Sequence, residues 1–313
     1  MINFRFHLIS LIAVFLALAI GIVVGSTVVD DAIVARLERD IEDVREESQA
    51  RAQENDELRD ELAVLRRYAD ESAAFAVEAR LAEVPVAVVA ERGVDGDIVR
   101  ASVDLLRAAG ADVPGVVWLE ESWRLEDADQ VRTLKEVTGA TGSKVAARAL
   151  ALDALATRFV EGPPVPVEGE EAAVDLLFAL RDAGFVGLDG DEAAFAAFPA
   201  HPARALLVTG ATTELADVDM TVATARAFTD VGLPTAVGEA YVDDGDDAVA
   251  RGAAVAPVRL DDDLAEDVAT VDDLDLVQGR VAAVLVLEDV ANGFVGHYGY
   301  GNGADAPVPE QQA

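Results

Sequence analysis

Residues 8–29 run for 22 positions without a charged side chain, and from residue 30 to about residue 72 apolar positions recur every seven among Asp, Glu and Arg. At about 1.5 Å per residue, a helix over the first stretch covers a hydrocarbon core of about 30 Å. The pattern predicts a short leading segment, 1–7, a transmembrane helix, 8–29, and a charged helical stalk, 30–76. Ala17-Leu18-Ala19 lies inside the apolar run, and 25–29 offers only a poor small-x-small site, so a retained anchor is expected over a cleaved signal. Arg5 precedes the run while Asp30 and Asp31 follow it, which places 1–7 in the cytoplasm and the bulk of the chain outside.

Two periodicities point to chain pairing. Ala13, Ala17, Gly21 and Gly25 recur every fourth residue, a smooth helical face on which two backbones can approach closely, although Ala and Gly are also common in membrane helices generally. In the stalk, the heptad a positions read Val34, Ile41, Ser48, Asn55, Leu62 and Ala69, and the d positions Leu37, Val44, Arg51, Leu58, Leu65 and Ser72. A polar Asn at a favours a two-stranded parallel coil. The expectation is a parallel homodimer seamed at Ala17, Gly21, Gly25, Leu37, Ile41, Val44, Asn55, Leu58, Leu62 and Leu65. The competing reading is an amphipathic helix packed on its own domain, and Ser48 with Arg51 makes a weak centre for a coil.

From residue 83 to 298 the pattern changes again. Val84-Pro85-Val86-Ala87-Val88-Val89-Ala90 is a continuous apolar run of strand type, a helical pattern covers 97–109, and 113–119 reads as a second strand. Helical patterns follow at 125–137, 145–159 and 170–183, an extended loop at 162–166, and strands at 185–188, 203–209, 235–237 and 253–258. The remaining helices are expected at 217–229 and 276–291. Apolar strands alternating with helices argue for a mostly parallel sheet covered on both faces, a three-layer α/β domain. Gly, Pro and polar residues dominate 299–313, read as a disordered tail.

Composition narrows the environment. With 59 acidic against 24 basic residues, the formal charge of −35 opposes nucleic acid and anionic lipid headgroups. The acidic runs at 243–247 and 261–263 lack the alternating ligands and closing Glu of an EF-hand loop and read as solvated surface. There is no cysteine, which suits an extracytoplasmic chain without disulfides but is equally common in the cytosol.

Catalytic patterns are weak. Gly93-Val94-Asp95-Gly96-Asp97 lacks the G-x-G-x-x-G turn of a dinucleotide site, and Gly139-Ala140-Thr141-Gly142-Ser143-Lys144 has the wrong spacing for a phosphate loop, so both read as turns. A non-enzymatic role without a cofactor is the expectation. The soft or nitrogen donors outside the anchor, His201, Met220 and His297, are the weak metal candidates. Asp272, Asp273 and Asp275 precede the last helical pattern and are expected to cap its amides. His297 and Tyr298 are expected to close the sheet through side-chain hydrogen bonds, the alternative being part of a partner surface together with Asp272.

His7 through Ser26 in the anchor, the Asp-Asp-x-Asp element at Asp272, Asp273 and Asp275 leading to Gly279, and Gly296-His297-Tyr298-Gly299 near the end together resemble the actinobacterial MctB family, also called SteB. The resemblance follows the whole order of parts and is most specific at the two ends. It implies copper efflux or homeostasis, with pore formation in the envelope, or a dimeric membrane-anchored partner of envelope-biogenesis proteins. The residues favour the second, because one span cannot form a pore wall and copper sites prefer Cys, Met and His. The partners expected are a second copy, the membrane and a membrane or envelope-biogenesis protein, with copper implied by the resemblance alone.

Overall fold

A computed structural model describes residues 4–165, 173–199, 203–243, 245 and 249–309. His201, residues 170–172 of an expected helix and most of the 243–247 acidic run lie outside these. The chain divides into two compact units, Met1–Arg66 and Arg67–Ala313.

Helix α1, Phe4–Ala76, supplies the first unit. Its segment Phe4–Gly25 has a mean hydropathy of 2.9 and is long and apolar enough to cross a membrane. The heptad side chains Leu37, Ile41, Val44, Leu58, Leu62 and Leu65 are 42% to 64% exposed. Asn55 donates to the Arg51 carbonyl one turn back, 2.9 Å.

The second unit is an α/β domain built on a seven-stranded sheet in the order β3-β2-β1-β4-β5-β6-β7. The strands are β1 (Val86–Glu91), β2 (Gly115–Leu119), β3 (Val186–Gly190), β4 (Arg204–Thr209), β5 (Thr235–Glu239), β6 (Val268–Val271) and β7 (His297–Tyr298). All neighbours run parallel except β3, which pairs antiparallel with β2 at one edge. Because β1, β2 and β5 are buried along their whole length and β4 from Ala205 onward, they read as apolar runs with no alternation.

Helices cover both faces. On one lie α3 (Ala128–Thr138), α4 (Lys144–Glu161), α5 (Leu176–Asp182) and α7 (Met220–Asp230), around a core that includes Trp123, Phe159, Phe185 and Phe228. On the other lie α2 (Gly96–Ala108), α10 (Val277–Val290) and the end of α1, whose Ala73 packs with Val77 and Leu81. Local signals set the boundaries. Asp127 and Gln130 form a capping box on α3, Gly139 ends it in a left-handed conformation, and the Ser143 side chain accepts from the Ala146 amide to start α4. The stretch that faintly matched a phosphate loop is this helix-to-helix turn.

Three expectations are corrected. The strand expected at 253–258 is a turn leading into a one-turn helix, α8 (Ala256–Arg259), because Pro257 fits the first turn of a helix and denies a strand its donor. Two short helices, α6 (Glu192–Ala197) and α9 (Asp262–Asp267), were hidden because six residues carry little helical period. The tail expected to be disordered is folded as far as residue 309: the Gly299 amide donates to Ala306, Asp305 to His297, and a parallel bridge joins Tyr298 to Ala306. Backbone pairing holds these residues where composition alone suggests disorder.

Candidate functional site

The carboxyl ends of the parallel strands are lined with acids. In the strand register Leu119 pairs with Glu91 and Thr209 with Glu239, and the residues after Ala90–Val208 and Gly238–Val271 continue the same row. Glu91, Thr209, Glu239 and Asp272 therefore stand side by side across four strands, all 3% exposed or less. Asp273 follows, fully buried. Sequence reading singled out the two aspartates and missed the two glutamates, whose only signal is an acid terminating an apolar strand.

Each acid has its own environment. Glu91 accepts from three hydroxyls, Thr209 at 3.0 Å, Thr213 at 2.6 Å and Thr221 at 2.6 Å. Burial nevertheless pushes its carboxyl above the ordinary range, the three hydroxyls opposing. Glu239 is pushed up to about 7, first by burial and then by the charge of Asp272, against amide donors at Gly252 and Ala254 and the Arg251 guanidinium. Its Oε2 has no hydrogen-bond partner among the described residues. Asp273 is likewise raised to about 7 by burial and by Asp272, and neither of its oxygens has a hydrogen-bond partner among the described residues.

Asp272 is the hub of the far end. Its Oδ2 accepts from Arg259 Nη1 at 2.9 Å, with side chains 0% and 3% exposed. The Tyr300 and Gly301 amides donate to its two oxygens at 2.8 and 3.0 Å. The remaining donors of Arg259 reach the Thr270 hydroxyl and the carbonyls of Tyr298 and Asn302. Arg251 forks onto Asp275 at 2.5 and 2.8 Å and stacks on Tyr241 at 4.0 Å.

The expected capping role of the aspartates is therefore corrected. The N-cap of α10 is Leu276, with no side-chain cap. The carboxylates of Asp272 and Asp275 instead bind guanidinium groups and, for Asp272, the returning tail. The glycines of the same elements explain themselves sterically. A Cβ at Gly299, where φ is +123°, would overlap the Asp272 carboxylate, one at Gly279 the Asp273 carbonyl, and one at Gly296 the Tyr298 ring. His297 and Tyr298 form β7, whose His297 Nδ1 lies 3.0 Å from the Thr270 hydroxyl. Burial and Arg259 lower the His297 pKa.

Of the metal candidates two lie among the described residues, and both are engaged in the fold. His201 lies outside the described residues, Met220 is sealed in the apolar core at 0% exposure, and His297 is engaged at the sheet edge. Among the described residues no three of His, Cys, Asp and Glu are placed to hold a metal ion. The membrane-helix candidates Ala17, Gly21 and Gly25 lie on an exposed helix, where a Cβ at either glycine meets nothing within 4 Å.

Comparison with known proteins covers the chain from end to end. A profile of the family described as "Copper transport outer membrane protein, MctB" matches residues 1–309. The "Copper transporter MctB" of Mycobacterium tuberculosis (strain ATCC 25618 / H37Rv) is 28% identical over 316 residues, 97% of this chain and 98% of that protein. Its namesake from Mycobacterium leprae (strain TN) is 29% identical over 324 residues, 99% and 100% of the two chains. With one apolar helix followed by an α/β domain whose carboxyl edge is organised around Asp272, this chain belongs to the MctB family of copper transport outer membrane proteins.

Proposed function

We propose that the protein works as a membrane-anchored parallel homodimer, a non-catalytic scaffold or regulator in the cell envelope, with its short leading segment cytoplasmic and its α/β domain outside. The observation that supports this most is the solvent-facing stripe of Leu37, Ile41, Val44, Leu58, Leu62 and Leu65 on a helix that follows a single span. Apolar side chains left in water at heptad spacing gain about 25 cal/mol per Å² when a second copy covers them. One span per chain provides no closed wall of hydrogen-bonded backbone for a pore. The buried acids Glu91 and Asp272 are turned inward, Glu91 onto three hydroxyls and Asp272 onto a guanidinium group and tail amides.

Replacing Leu58 and Leu62 together by Asp in the full chain in detergent is expected to reduce the particle from dimer to monomer by light scattering. An unchanged dimer mass sinks the coil. Membrane crosslinking of the intact dimer followed by mass spectrometry then identifies the envelope partner.

The names of the relatives favour a second reading, in which copper is cargo and the protein handles it directly as a transport or pore component. The donors present suit copper poorly, since Met220 is buried in the core and His297 is engaged. Calorimetric titration with Cu(I) is expected to show no binding tighter than about micromolar. A nanomolar site would establish the second reading over the first.

A further inference from the structure

The sheet changes winding direction between β1 and β4, since β1 is followed by β2 on one side and β4 lies on the other. In open parallel sheets the loops leaving the strands diverge at such a point and leave a crevice outside the carboxyl ends. Here the crevice is a cleft with about 30 Å³ of room for water-sized groups. Its exposed rim includes Asp95 and Thr212, and its buried floor Gly210, Thr213 and Glu239.

Glu239 makes this cleft more than a turn between loops. The residue is 1% exposed, yet Oε2 has no hydrogen-bond partner among the described residues. Arg251, whose positive charge acts on Glu239, forms its paired hydrogen bonds with Asp275 instead. A buried carboxylate oxygen without a donor is costly, and a donor bearing positive charge offsets that cost best.

We propose that the cleft binds a primary ammonium group, seated on Glu239 with Thr212 and Asp95 at the entrance. The narrow space suits a small group of about one or two water volumes better than a bulky one such as a quaternary amine. The chain's charge of −35 and the Asp95 rim exclude an anion. The ammonium is either that of a small free amine or that of a lysine side chain presented by a larger partner. This inference is independent of how the chains pair.

The test uses the full chain in detergent micelles at pH 7.5 and constant ionic strength, titrated calorimetrically with methylammonium chloride and, separately, with Nα-acetyl-lysine amide, whose side-chain ammonium is free. Saturable binding is expected for methylammonium, with tetramethylammonium, potassium and calcium at least tenfold weaker. Tighter binding of the lysine compound points to a polypeptide source, and the reverse to a free amine. Glu239→Gln is expected to weaken binding about tenfold or more, the scale of one lost charge-assisted hydrogen bond, while Asp129→Asn on the distant α3 leaves it unchanged. Equal binding of potassium or tetramethylammonium, an unaltered affinity in Glu239→Gln, or no saturable methylammonium binding overturns the proposal. If Glu239→Gln fails to fold, the selectivity of the unaltered protein and a severalfold loss in Thr212→Val decide it.

Discussion

Replacing Asp272 with alanine is expected to lower the unfolding free energy of the domain by about 3–5 kcal/mol, the cost of stranding a buried charge by removing its partner. The guanidinium of Arg259 is 3% exposed and Asp272 is 0% exposed, so water cannot substitute for the lost carboxylate. The loss extends beyond the pair, because the Tyr300 and Gly301 amides also donate to Asp272 and would be left facing a void. Urea unfolding followed by far-UV circular dichroism measures the change. Asp272→Asn, which keeps the volume and one acceptor, is expected to cost less than alanine. A loss under 1 kcal/mol for the alanine variant would mean that the tail and Arg259 find other partners.

The second large effect is a fall in stability with rising pH. Glu239 is raised from 4.5 to about 7 and Asp273 from 3.8 to about 7. Both acids bind protons more tightly folded than unfolded, so the folded domain holds more protons between about pH 4 and pH 7. Stability is therefore highest at the acid end of that window and declines through it, at up to about 1.4 kcal/mol per pH unit for each group. Asp273→Asn removes one of the two titrations. It is expected to leave stability at pH 4.5 close to the parent's and to raise it at pH 8 by about 1–3 kcal/mol, read from thermal or urea unfolding at the two pH values. A difference between parent and variant that is the same at both pH values would exclude Asp273 as the titrating group. General repulsion within a strongly acidic chain also grows with pH, but it is shared by parent and variant and cancels in the comparison.

The architecture was legible where the pattern was long. A 22-residue uncharged run and the apolar runs of β1 and β4 leave few alternatives. Short elements were not: β6 and β7 have four and two residues, too few to display a period, and Pro257 in an apolar stretch turned a presumed strand into α8. The site was half legible. Asp272, Asp273, Gly296 and Gly299 were singled out through the resemblance, yet their work was misassigned, because a cap is a local prediction while the Arg259 pair spans 13 residues and the Tyr300 amide 28. Glu91 and Glu239 were invisible for a related reason. Only the strand register, with Thr209 between them, shows that they form one row.

The fold-back of residues 299–309 also bears on how the protein is made. The apolar helix is synthesised well before the amides of Tyr300 and Gly301, the carbonyls of Tyr298 and Asn302 and strand β7. Until those residues have been made, the Arg259 guanidinium lacks two of its four partners and the Asp272 carboxylate two of its three. The domain can reach its final state only once these residues are available, so a chain truncated before residue 296 leaves an unfinished sheet edge for proteases to recognise.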